Sequence, residues 1–202
     1  MRILKYYVMK KIIAVLLSLI ITVSAFAGEV DDKYNKGLEL VKKLKRVEAK
    51  AVFTEIIESN PEYALAYYQR GLIFKHFKEY DNANADFVKV TRIRSVDPKT
   101  KTDAHYLIGE IKMLKEDYRG ASLDFSIIIA EHPDESNAYY QRAKCKLKIN
   151  DKSGAYADIQ KALELDNSLS EAYYEKGLCE VELEKYDLAI ISFDSVLSQN
   201  DE

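Results

Sequence analysis

The side chains of this chain best suited to do chemistry are two thiols, three imidazoles and two arginine–aspartate pairs. Cys145 and Cys179 lie 34 residues apart, and His76, His105 and His132 lie far from one another and from both thiols. No Cys/His cluster has metal-ligand spacing, and no histidine accompanies a nucleophile at a matching interval. Neither a metal centre nor a cofactor nor a catalytic pair is expected, so the chain reads as non-enzymatic. Two cysteines are too few for a disulfide framework, and both are expected to be buried, free thiols. Arg70 with Asp86, and Arg142 with Asp158, are each 16 residues apart. That interval suits an ion pair between two antiparallel helices.

The residues that recur are aromatic. The stretch Ala66-Tyr67-Tyr68-Gln69-Arg70-Gly71 returns as Ala138-Tyr139-Tyr140-Gln141-Arg142-Ala143 and, 34 residues later, as Ala172-Tyr173-Tyr174-Glu175-Lys176-Gly177. A fixed period of this length marks a solenoid of small units that bury their apolar faces only by stacking. Five units align, over residues 30–63, 64–101, 102–135, 136–169 and 170–202, preceded by a different segment at 1–27. The second unit carries four extra residues between Arg94 and Lys101, in a locally basic stretch with Arg92 and Lys99.

Each unit reads as two helices. Tyr67, Gly71 and Phe74 fall at i, i+4 and i+7, one face of a helix. A polar break such as Lys78-Glu79 follows, and then a second helix carrying Ala83 and Phe87. Turns such as Asn60-Pro61 and His132-Pro133 end the second helices. A second stripe on each first helix, Leu65, Tyr68, Leu72 and Lys75 in the second unit, is rotated away from the core stripe. One tyrosine stands in that stripe in every unit: Tyr34, Tyr68, Tyr106, Tyr140 and Tyr174.

This pattern of aromatic, glycine, tyrosine, alanine, aromatic and proline, in register five times, resembles the tetratricopeptide repeat family over residues 30–202. The resemblance implies an all-α, right-handed superhelix of helix pairs whose first helices line a concave groove. It also implies that the second stripe faces that groove, which makes Tyr34, Tyr68, Leu72, Tyr106, Tyr140, Tyr174 and Leu178 the candidate partner-binding residues. Tyrosine suits such a surface, since it offers a large contact area, few torsions to freeze and a hydroxyl for a peptide backbone. Packing against neighbouring helices is the competing role for the same rings. One subclass of the family clamps chaperone C-termini with Lys and Asn at groove positions, where this chain has tyrosine and mostly leucine. Lys33, His105 and Lys152 depart from the family pattern at aromatic positions.

Residues 1–27 place Arg2, Lys5, Lys10 and Lys11 ahead of an apolar run, and end in Ser24-Ala25-Phe26-Ala27. That order is expected of a secretory signal cut after Ala27, with translation starting at Met1 or Met9. The run Ile12 to Ala27 is 16 residues, short of the roughly 20 that a spanning helix needs; retention as an anchor is the competing reading. Residues 28–202 carry 26 basic and 33 acidic side chains, a net charge of −7, which disfavours nucleic acid. The expected function is an exported interaction module, periplasmic or secreted, that holds a protein or peptide partner. The alternative is an envelope protein that assembles with itself. On the last helix Ile190, Ile191 and Leu197 are expected to form an apolar contact face, open to a weak homodimer or a docked partner.

Overall fold

The computed structural model describes residues 28–200; the expected signal segment, 1–27, lies outside them. Every element among the described residues is helical: α1 (28–42), α2 (Arg46–Ser59), α3 (Ala64–His76), α4 (Tyr80–Arg92), α5 (Pro98–Leu114), α6 (Tyr118–Glu131), α7 (Ser136–Lys148), α8 (Lys152–Leu165), α9 (Ser170–Glu182) and α10 (Tyr186–Asn200). No helix among them is long and apolar enough to cross a membrane. The chain divides into two compact units, 1–73 and 74–202.

The repeat is written into the backbone as well as the sequence. Leu44, Lys78, Glu116, Asn150 and Glu184 all take φ near 60°, each two residues past the end of a first helix. The residue that follows returns its N–H to a carbonyl five positions back, as in Lys45 to Leu40, Asp117 to Lys112 and Asp151 to Lys146. This double closure satisfies carbonyls the helix end would leave open, and it fixes the register of all five repeats without a glycine.

In the first unit, α1, α2 and the first part of α3 close over Val30, Ala49, Phe53, Ile56, Ala66 and Ile73. Gly37 lies so close to the Phe53 ring that an added β-carbon would stand 2.6 Å from it. In the second unit, α5 packs on α6, α7 on α8 and α9 on α10, and each second helix also packs on the next first helix. The core there runs through Ala121, Phe125 and Ile128, then Ala155, Ile159 and Ala172.

The four extra residues of the second repeat do not form a loop. They enter α5 as an added first turn, which therefore begins at Pro98 rather than near Thr102. Asp97 supplies the reason: its carboxylate accepts from the Thr100 N–H at 2.9 Å, and Pro98 needs no partner at the first helical position. Asp117 and Asp151 cap α6 and α8 in the same way, through Gly120 and Gly154.

Candidate functional site

Three of the stripe tyrosines, Tyr34, Tyr106 and Tyr174, bed on the aromatic ring of their own repeat's second helix, and Tyr140 packs on the core that holds Ile159. Tyr34 lies 5.8 Å from Phe53 and 5.6 Å from Tyr63; Tyr106 lies 5.9 Å from Phe125, and Tyr174 lies 6.0 Å from Phe193. The glycine three residues on, or Ala143 in the fourth repeat, lets that second-helix side chain slide beneath. One face of each ring thus belongs to the core, and both roles weighed for the tyrosines draw on the same residue.

Burial holds the phenols of Tyr34, Tyr106 and Tyr140 protonated. It raises Tyr34, partly offset by a hydrogen bond with Gln69. It raises Tyr106 further, helped by the Glu135 carboxylate, and raises Tyr140 to about 12 with Glu175 and Glu171 nearby. The Tyr106 hydroxyl is buried and finds no hydrogen-bond partner among the described residues. Tyr68 and Leu72 are half-buried on α3, whereas Tyr174 and Leu178 are exposed on α9. Within the second unit, then, Tyr106, Tyr140 and Tyr174 stand on successive first helices; Tyr34, Tyr68 and Leu72 belong to the first unit.

Beside this row is a cleft of about 450 Å³ lined by Glu110, Met113, Leu114, Tyr118, Gln141, Lys144 and Lys148. Glu110 and Lys144 sit one turn beyond Tyr106 and Tyr140. Glu110 pairs with Lys75, and the Lys144 ammonium lies over the Tyr140 ring, 5.5 Å from its centre. The cleft joins the apolar Met113 and Leu114 to the charged Glu110, Lys144 and Lys148; Lys144 lies in the same helical stripe as Tyr140, whereas Lys148 was not evident from the aromatic repeat.

Several of the residues first weighed for chemistry are engaged in packing and ion pairs. Arg142 grips Asp158 bidentately at 2.7 and 2.8 Å, Lys146 joins at 2.8 Å, and the guanidinium lies over Tyr139. Arg142 also donates to Ser126 on the preceding second helix at 3.1 Å, as Arg70 does to Thr54 at 3.2 Å. These bridges between repeats were missed, although both span 16 residues backwards in sequence. In the fifth repeat the acid sits on the first helix instead: fully buried Glu180 takes hydrogen bonds from Ser192 and Tyr156 and pairs with Lys176. Lys152, at an aromatic position of the pattern, pairs with Glu182 at 2.6 Å, and buried His105 faces Asp124. Cys145 and Cys179 are buried free thiols, raised to about 11 by burial. Among the described residues no group of histidine, cysteine and carboxylate side chains could hold a metal ion.

At the outer end of the second unit Ile190, Ile191 and Leu197 are all exposed, at 60%, 59% and 64%. Their counterparts one repeat earlier differ: Tyr156 and Leu163 pack against α9's side of the core, but Ala157 is exposed. The stacking face therefore runs through Ile190 and Leu197, and Ile191 flanks it.

Tetratricopeptide repeat models match residues 34–96, 136–169 and 170–202. No curated protein matches the chain. Among solved structures, MamA from Desulfovibrio magneticus RS-1 (residues 41 to the end) is similar at a TM-score of 0.75 and 19% identity, covering 85% of this chain and 95% of that one. YrrB, described as a TPR protein with an unusual peptide-binding site, gives 0.71 and 19%, covering 84% and 86%. The Pseudomonas aeruginosa pilF protein gives 0.67 and 16%, covering 84% and 76%. With the helix pairs, the repeated turn and the matched residues all agreeing, the chain belongs to the tetratricopeptide repeat family.

Proposed function

We propose that this protein is an exported, non-enzymatic scaffold that holds an extended peptide segment of a partner protein against the tyrosines of its first helices. The observation that carries this is the row Tyr106, Tyr140 and Tyr174 on successive first helices, half-buried at Tyr106 and Tyr140 and exposed at Tyr174, beside the cleft lined by Glu110, Lys144 and Lys148. Rings already seated on one face lose little freedom on binding, so contact on the other face is gained at low entropic cost. The Tyr140 phenol, held protonated, is a donor suited to a peptide carbonyl. The peptide-binding site named for YrrB, a protein of the same fold, supports the reading, as does the signal-like order of residues 1–27.

The test begins with the full precursor expressed in a bacterial host, where the chain recovered from the periplasm is expected to start at Gly28. That material is then panned against a random peptide library. Peptides enriched on it should bind the Tyr140→Ala, Tyr174→Ala double variant more weakly by about 1–3 kcal/mol per tyrosine, with helical circular dichroism retained. Equal affinity for the double variant removes the tyrosines from the binding surface, and an intact precursor in the cytoplasm removes export.

A further inference from the structure

The repeats show what covers a second helix. Between α2 and α3, Ile57 shares a core with Ala66 and Ile73; between α6 and α7, Ile129 shares one with Ala138 and Cys145. Between α8 and α9, Tyr156 and Leu163 share one with Ala172 and Cys179. Each covering helix offers a small residue and, seven positions on, an apolar one. Four positions after the small residue, Arg70 and Arg142 donate to Thr54 and Ser126 of the helix they cover.

On α10 the same positions are filled but uncovered. Ile190 stands at the place of Tyr156 and Leu197 at that of Ile129 and Leu163, both exposed. At the place of Thr54 and Ser126 stands Asp194, also exposed. A carboxylate thus replaces the hydroxyl that receives arginine, which makes a stronger acceptor for the same donor. α10 carries Asp187 as a second acid and no basic residue at all.

We infer that the outer face of α10 docks a helix of a partner protein that carries a small residue, an arginine four positions later and an aliphatic residue seven positions later. A second copy of this chain is a poor occupant. Its α3, α5, α7 and α9 already bury their small and apolar positions. Its α1 has Lys36 at the arginine position but exposed Asp32 and Glu39 at the other two, and pressing two carboxylates onto Ile190 and Leu197 without partners outweighs one ion pair. A single helix on a single helix also buries less than a standard interface, so the complex is a reversible one.

A hydrocarbon-stapled, fluorescein-labelled helical peptide with the sequence of residues 64–76, which carries Ala66, Arg70 and Ile73, serves as the probe. Fluorescence anisotropy against the full chain should show saturable binding. Asp194→Lys should weaken it at least 10-fold, and a peptide with Arg70→Glu should regain that loss on the Asp194→Lys protein. Ile190→Glu with Leu197→Glu should abolish binding, while Tyr140→Ala, which tests the tyrosine surface, should leave it unchanged. Absence of saturation, or indifference to Asp194→Lys, overturns the inference. So does light scattering that shows the unmodified protein alone doubling in mass with concentration, if Ile190→Glu with Leu197→Glu abolishes the doubling, for then a second copy occupies the face.

Discussion

Gly109 shows how one missing methyl sets the spacing of a helix pair. A β-carbon there would stand 2.8 Å from the Phe125 ring, and that ring is fully buried, with no room to retreat. The fourth repeat reaches the same closure with the opposite choice, Ala143 against Ile159, both fully buried. Gly109→Ala alone should therefore destabilise by about 1–3 kcal/mol through overpacking. Phe125→Ile alone should also destabilise, through the cavity it leaves. The double variant should be more stable than the sum of the two losses allows, because alanine and isoleucine together copy the fourth repeat. Urea unfolding of all four proteins gives the coupling directly, and strict additivity would show that the two side chains do not share this contact.

Elements here are placed by what ends them. Each first helix stops at a residue in the left-handed region, and four of the five are leucine, lysine or glutamate, which take that conformation at a cost that asparagine largely avoids. The stacking that follows must hold them there. The added turn of α5 rests instead on a cap, since Asp97 is exposed and its carboxylate is held below the usual range by its hydrogen bonds to Thr100. A lowered pKa in the folded state means that the cap's contribution is complete above the ordinary aspartate value and is lost as pH falls through the lowered one. The Thr100 amide resonance is accordingly expected to titrate with a midpoint below 3.8, the ordinary value. Asp97→Ala should remove that titration and speed amide exchange over 98–101 while sparing α6. A midpoint at or above the ordinary value would mean that the cap does not form in solution.

At the scale of the molecule, the solenoid was legible because a period of 34 residues repeats its aromatic and small positions, and those positions are the core: Phe53, Phe87, Phe125 and Ile159 are all fully buried. The tyrosine row was legible for the same reason, yet its exposure was not. Whether a ring faces water depends on the neighbouring repeat, so Tyr174 is open while Tyr106 is not. The bridges from Arg70 to Thr54 and from Arg142 to Ser126 escaped notice because they join one repeat to the next, whereas the ion pair sought from spacing lay within a repeat. Stacked repeats open from their ends, since each interface contributes separately, and the two thiols report this. Cys145 is sealed in the core shared by α6 and α7, Cys179 in that shared by α8 and α9. Exposing Cys179 requires only the α9–α10 pair to part from α8, and the outer face of that pair is bare. Exposing Cys145 requires α7 to leave α6, with everything stacked beyond it. Burial keeps both thiols protonated at neutral pH, so labelling by a disulfide reagent must pass through opening. Under native conditions Cys179 should react at least about tenfold faster than Cys145, a difference in opening free energy of about 1.4 kcal/mol or more. Cys145→Ser and Cys179→Ser variants assign the two phases, and a single shared rate would mean that the four helices of α7 to α10 open as one unit.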